Sequence, residues 1–513
     1  MEGRSKSRRM DDAVKKWLLE LRDVTETECM SVLQGKSLNC KKDPDQTAYL
    51  VNEIKDVVNS IRTESNAISS DFDTLFRSVE CGDWKHLGHH GIQVTCHIRS
   101  LIQLCNKCIR EPPVHILEQQ ELVMGECAKL AQLVDGFSHG GRLPAKVPLT
   151  NQLTYLGQSF SRLVDHVLGY LVQKLVDLLD EASAPSAVNS AIESFISLGL
   201  DGEHMCYILA REGGVRSLLD ICRTDSLVFA HSQALRALAT LSCVPESIME
   251  FERENGLELL TELLCDSAAP ECVQGEAAGV VAQITSPCLE HNQHLGGFVD
   301  NIQDLLQALL NLSQKTKSRE VFLLAAAATA NMTFIDSTAC EILHQNEAHR
   351  ILVQQCSLPK AGSLFAKDQV ATILANMAAV NSCLVGLTDN QGIELLVSFL
   401  KESPSLCASE AEMAACERVQ QKSAIALTRL CREESYAQRI IDLEGIPRLV
   451  KLCRSSRERN NSDAVLVASL AALRKISSTC GNKNVSDADV QQLIAPRLMD
   501  SFLMCSRSDE NFV

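Results

Sequence analysis

Two independent markers recur along the last two-thirds of this chain with one shared period of about 45 residues, and a period of that length points to stacked repeats rather than to a single closed core. The first marker is a small or turn residue that opens an apolar run. It occurs as Gly214 in EGGVRSLL, Gly256 in ENGLELL, Asn301 in DNIQDLL, Ala348 in NEAHRIL, Gly392 in NQGIELL and Gly445 in LEGIPRL, at separations of 42, 45, 47, 44 and 53 residues. The second is an Ala/Leu-rich helical pattern: QALRALATL, EAAGVVAQI, LAAAATANM, QVATILANM, KSAIALTRL and ASLAALRKI. Their last apolar positions, Leu241, Ile284, Met332, Met377, Leu430 and Ile476, are spaced 43, 48, 45, 53 and 46. Both markers put the long interval in the same repeat. An insertion of about eight residues is therefore expected in the Ser/Pro/Glu-rich stretch from Glu402 to Ala414, as a surface loop.

One such unit cannot bury its apolar face alone, so neighbours must stack into a superhelix. Alanines on the third helix let adjacent units approach closely. A glycine turn before the second helix and a small-residue third helix are similar to the armadillo repeat. Only 4% of residues are aromatic while Leu and Ala recur, which suits helix-on-helix packing better than a β-sandwich. The expected fold is all-α, an armadillo-like right-handed α-solenoid with a flexible N-terminal binding peptide. About six repeats span 191–480, and PRLMDSFLMC (496–505) closes the solenoid within 481–513. Residues 46–190 hold helical patterns without the repeat signature, such as LVNEIKDVVNSI and LTYLGQSFSRLVDHVLGYLVQKLVDLL. They read as an N-terminal helical cap or as degenerate repeats.

Composition narrows the function. A net charge of −16 argues against nucleic acid, because phosphate binding needs a basic surface. The basic start (Arg4, Lys6, Arg8, Arg9) reads as a solvated terminus, and with no apolar core behind it no secretory leader is expected. Nowhere do eighteen apolar residues run together, so no membrane span is expected. Many of the 22 cysteines, including Cys222, Cys243, Cys340, Cys431 and Cys453, sit in apolar helical stretches, where Cys acts as a small hydrophobe. A reduced cytosolic chain is the resulting expectation. Cys81, His86, His89, His90, Cys96, His97, Cys105 and Cys108 look metal-like, but HIRSLIQLCNKCI reads as one continuous helix, so no metal is expected. Walker A, G-x-G-x-x-G, G-x-S-x-G and H-E-x-x-H motifs are all missing. The reading is a non-enzymatic protein without cofactor that holds other proteins.

Residues 1–40 form the first candidate binding element, a linear motif of a short helix plus an extended segment. Asp11 and Asp12 suit a helix start, and Val14, Trp17, Leu18 and Leu21 then share one helical face. Glu26 and Glu28 follow, with Met30, Val32 and Leu33 as later apolar points. A helix this short is marginal alone in water. It either docks on its own domain or folds into a partner's groove with Trp17 as anchor. The second candidate is the residue before each final apolar position of the Ala-rich helices: Thr240, Gln283, Asn331, Asn376, Arg429 and Lys475. In armadillo solenoids this position faces the concave groove, where Asn can bond an extended peptide's backbone. Gln283, Asn331, Asn376 and Arg429 are the groove candidates, against a merely solvated face. The third is the terminal Phe512-Val513, similar to a PDZ ligand except that Asn511 stands where Ser or Thr is usual.

The pattern W-x-x-x-L-x-x-x-T-E-x-E-C-M-x-V-L-Q at residues 17–34 resembles the segment of the Inscuteable family that binds the tetratricopeptide domain of Partner of Inscuteable (LGN). The blocks EGGV (212–215), VFLLAAAATANMTF (321–334), AACERVQQK (414–422), ERNNSDAVLVASLAALR (458–474) and PRLMDSFLMCS (496–506) resemble the same family's asymmetry domain. After Gln34 the chain departs from the family, with lysines in GKSLNCKKDPDQ where an acidic run is common. The resemblance implies an adaptor in asymmetric cell division. Its N-terminal motif would hold Partner of Inscuteable, and through it an inhibitory Gα subunit. Its repeats would join Bazooka, and its location would be cytoplasmic with recruitment to the apical cell cortex. A peptide-carrying transport or adhesion receptor that uses the concave groove is the alternative.

Overall fold

The structure is a computed structural model that describes residues 46–138, 146–286, 297–335, 338–404, 408–482 and 484–506. The N-terminal motif (Val14, Trp17, Leu18, Leu21, Glu26, Glu28, Met30, Val32, Leu33) and the terminal Phe512 and Val513 lie outside the described residues. The described chain is helical, and no strand occurs among the described residues. No single described helix is long and apolar enough to cross a membrane. The chain divides into two compact units at residues 250–251.

The first unit opens with four long helices, α1 (Gln46–Cys81), α2 (Trp84–Cys108), α3 (Val114–Ser138) and α4 (Lys146–Asp180). Helix α1 packs on α2 and α4, and α3 packs on the same two, so the four close on one another as a bundle. Stacked degenerate repeats, one of the two arrangements expected here, would leave this ring open. The closure follows from stripe and turn. Gly82 (φ 70°) reverses the chain between α1 and α2, and each helix turns one apolar stripe inward, including Val58, Ile61, Leu75, Ile98, Ile116, Leu130 and Leu153. Then come α5 (Pro185–Gly199), with Pro185 at its first turn, and the first full repeat: α6 (Glu203–Arg211), α7 (Gly214–Arg223) and α8 (Val228–Leu241).

The second unit continues the three-helix pattern. Helix α9 (Pro245–Arg253) runs across the division, and the helices of the second unit are α10 (Gly256–Cys265), α11 (Glu271–Ile284), α12 (Gly297–Lys315), α13 (Arg319–Ile335), α14 (Thr338–Gln345), α15 (Ala348–Cys356), α16 (Leu364–Met377), α17 (Leu384–Asp389), α18 (Gly392–Phe399), α19 (Glu410–Leu430), α20 (Glu434–Asp442), α21 (Gly445–Arg454), α22 (Asp463–Cys480) and α23 (Leu498–Ser506). The third helices of the repeats, α11, α13, α16, α19 and α22, lie side by side in chain order as one layer, and the second helices α10, α12, α15 and α18 form the other. Small residues set the spacing: Ala325, Ala326, Ala328 and Ala330 on α13 are wholly buried between neighbours.

Three local readings change. In five of the six repeats the left-handed residue is the one before the small residue: Gly213, Asn255, Glu347, Gln391 and Glu444 all have positive φ. The small residue itself is the first of the second helix, and what it requires is space. A Cβ on Gly256 would lie 2.5 Å from the Phe251 ring, one on Gly445 2.6 Å from Ile440, and one on Gly214 2.8 Å from the Leu209 carbonyl. Asn301 marks no turn at all. It lies inside α12, whose unbroken apolar period (Ile302, Leu305, Leu306, Leu309, Leu310) carries the helix through it. The insertion is also not all loop. Ser409 and Glu412 form a reciprocal capping box, the Glu412 amide donating to Ser409 Oγ at 3.2 Å and the Ser409 amide to Glu412 Oε2 at 2.9 Å. Helix α19 therefore begins at Glu410 and takes up the last residues of the insertion.

Candidate functional site

The third helices of the second unit carry a polar residue at the same register, one position before their last apolar contact. Its chemistry depends on the layer beneath. Asn331 on α13 donates from Nδ2 to the Ala282 carbonyl of α11 at 2.8 Å. Asn376 on α16 donates from Nδ2 to Thr333 Oγ1 of α13 at 2.7 Å. Arg429 on α19 donates from Nη1 to the Ala375 carbonyl of α16 at 2.5 Å. Each reaches back one repeat, and each spends one donor there. Gln283 is buried at 7% exposure, and Lys475 is half-buried. In the first unit, Thr240 turns its hydroxyl to its own helix, donating to the Arg236 carbonyl at 3.0 Å.

A second polar feature shares this face. Asp368 on α16, 2% exposed, accepts from Arg418 Nε at 2.8 Å and from Lys422 Nζ at 2.6 Å, both on α19. Burial pushes its carboxyl up, but Lys422 and Arg418 together outweigh burial and hold it below the usual carboxylate range. Sequence reasoning missed this cluster, although two signals were present. Arg418 and Lys422 are four apart, hence on one helical face, and Asp368 lies about one repeat earlier at the matching register. Farther along, burial and then the neighbouring Arg432 push the Arg429 guanidinium below its ordinary range. Arg432 itself holds Asn381 Oδ1 in the turn after α16.

The His/Cys stretch is taken up by local partners. His97 Nδ1 bonds Asp71 Oδ2 at 2.6 Å, His86 Nδ1 bonds Asp83 Oδ2 at 2.8 Å, and His90 Nδ1 bonds Ser78 Oγ at 3.0 Å. Among the described residues no three His, Cys, Asp or Glu side chains converge as metal ligands. Burial pushes the thiols of Cys222 and Cys431 up to about 12 and that of Cys340 up to about 11, so they are poor nucleophiles at neutral pH. Cys243 lies just past the end of α8, half-buried.

The family model "Protein inscuteable C-terminal" matches residues 64–513. Over 509 residues the chain is 37% identical to the "Protein inscuteable homolog" of Mus musculus and to that of Homo sapiens, covering 98% of this chain and 88% of each relative. An engineered protein solved by the Northeast Structural Genomics Consortium superposes with a TM-score of 0.53 at 20% identity, covering 86% of this chain and 98% of its own; that likeness concerns the fold.

Proposed function

Because this chain belongs to the Inscuteable family, we propose that it is a non-enzymatic adaptor of asymmetric cell division, which links the Bazooka polarity complex to Partner of Inscuteable and an inhibitory Gα subunit and so orients the mitotic spindle. The observation that carries this reading is the layer of third helices, on which Asn331, Asn376 and Arg429 stand half-buried at one repeated register, with Gln283 buried at the same register. Such a surface suits holding an extended segment of another protein, and no step of bond chemistry follows from it. The segment 10–36 supplies the second contact, with Val14, Trp17, Leu18 and Leu21 as a helical stripe for the tetratricopeptide domain of Partner of Inscuteable. Glu26 and Glu28 add charge, and Met30, Val32 and Leu33 continue as an extended segment. The adaptor is cytoplasmic and is drawn to the apical cortex by these partners.

The test compares the full chain, a chain lacking residues 1–40, and Trp17→Ala against the isolated tetratricopeptide domain. Truncating a central aromatic anchor costs about 2 kcal/mol or more, roughly a thirtyfold loss of affinity. Unchanged affinity, together with a lowered melting temperature of the Trp17→Ala chain, would show that the helix docks on its own body and overturn the reading.

A further inference from the structure

The face of the third helices that carries Gln283, Asn331, Asn376, Arg429 and Lys475, the ladder face, is not electrically uniform. On α11 and α13 the register that leads to Gln283 and Asn331 includes Glu276 and Glu320. From α16 to α22 the sign reverses. Arg418, Lys422, Arg429 and Lys475 share the ladder face of α19 and α22, and Arg432 follows in the turn after α19. The carboxylates of these helices neutralise them only in part. Asp368 is buried and already held by two of the cations. Glu412 closes the capping box, Glu417 accepts from Asn460 Nδ2 at 2.5 Å, and Asp463 begins α22, about three turns from Lys475. Arg418, Lys422, Arg429, Arg432 and Lys475 thus outnumber the carboxylates beside them, Asp368 and Glu417, with Glu433 and Glu434 following Arg432 in the chain, although the net charge of the whole chain is −16.

Maintaining like charges together is costly. Arg429 stands beside Arg432, and burial together with that neighbouring charge holds the Arg429 guanidinium below its ordinary range. Salt bridges within the repeat would relieve the repulsion, yet the Arg429 donor goes to a backbone carbonyl instead. A face that concentrates one sign attracts a ligand of the other and rejects its own.

We propose that the α16–α22 portion of the ladder face binds an extended acidic segment of a partner protein, its carboxylates meeting Lys422, Arg429, Arg432 and Lys475 while Asn376 bonds its backbone. The proposal rests on the adaptor reading and gives its groove a ligand chemistry. It also separates that reading from a carrier of basic cargo, which these cations would repel.

The experiment uses the full chain and two fluorescein-labelled peptides of about twelve residues, one alternating Asp and Ser and one alternating Lys and Ser, titrated by anisotropy at about 50 and about 300 mM salt, where the screening lengths differ about twofold. The acidic probe is expected to bind at low salt and to weaken sharply at high salt, and the basic probe not to bind. Arg429→Glu and Lys475→Glu are each expected to weaken the acidic probe at least tenfold, while Arg350→Glu, on the second-helix layer, leaves it unchanged. Melting curves of each variant identify any loss due to unfolding, and Lys475→Glu, with no hydrogen bond to a neighbouring helix among the described residues, is the variant that decides if Arg429→Glu melts early. No binding of the acidic probe at low salt, equal binding of both probes, or equal loss in Arg350→Glu overturns the proposal. Because the probe bypasses residues 1–40, this failure is distinct from that of the Trp17→Ala test.

Discussion

Two buried cations show how this chain uses charge in its interior. Lys360, 6% exposed, donates from Nζ to the carbonyls of Ser313 (2.7 Å), Thr316 (2.7 Å) and Gln314 (3.2 Å), the last turn of α12, and sits 5.5 Å from the centre of the Phe322 ring. Arg459, 2% exposed, donates to the Leu452 and Cys453 carbonyls at the end of α21 and to the Cys505 carbonyl of α23 at 3.2 Å. In both cases the negative ends of helix dipoles stand in for a carboxylate. Lys360→Met keeps the apolar stem and strands three carbonyls, so a loss of about 1–3 kcal/mol is expected in urea unfolding, with little change in slope. Asp368 is the converse case. Asp368→Asn leaves Arg418 and Lys422 facing a neutral amide, and about 3–5 kcal/mol of stability should go with it. The pH sign follows from its lowered carboxyl: the folded value lies below the unfolded value of about 3.9, so the stabilisation is complete above that value. It is lost as pH falls through the folded value, and Asp368→Asn should flatten the acid limb of a melting-temperature profile.

At the scale of elements, the repeat junction divides its demands between two adjacent residues. Gln391 holds the left-handed conformation (φ 64°) and Gly392 accepts the close approach of the preceding helix at Leu387. Opposite effects are expected from neighbouring substitutions. Gln391→Gly relieves backbone strain and should stabilise by about 0.5–1 kcal/mol, after the extra entropy lost by glycine. Gly392→Ala drives a methyl into backbone and should cost about 2 kcal/mol or more, both read from denaturant midpoints. The second-helix entry and the Ala-rich helix were legible because each repeats its chemistry at one spacing. The division of labour at the entry was not, because glycine marks both a left-handed residue and a close contact. Asn301 misled for a related reason: it matched the spacing while α12 supplied an unbroken apolar stripe. The bundle of α1–α4 carries no period to compare, so its closure rests on which stripes meet. At the ladder, the register was readable from sequence. The backward bonds of Asn331, Asn376 and Arg429 were not, because they depend on how far one helix sits from the next.

For the molecule as a whole, the adaptor reading predicts that the peptide and the repeats are energetically separate. Deleting residues 1–40 should leave the melting temperature of the remaining chain unchanged within about 1 °C, since a shift of that size corresponds to only a few tenths of a kcal/mol in a chain this long. A drop of several degrees would mean that the helix of Trp17 is a structural part of the body.

The ladder bonds have one more effect, on how such a chain changes over generations. Asn331 and Arg429 fasten to main-chain carbonyls, of Ala282 and Ala375, and Thr479 Oγ1 does the same with that of Cys431 at 3.1 Å. Every amino acid offers that acceptor. A mutation in the earlier helix therefore leaves the fastening in place, and no compensating change is demanded in the later one. The exceptions are Asn376 to the Thr333 hydroxyl and Asp368 to Arg418 and Lys422, where side chains of successive helices must drift together. Where the acceptor is a backbone carbonyl, the earlier helix can be rewritten and its neighbour still finds the handle it needs.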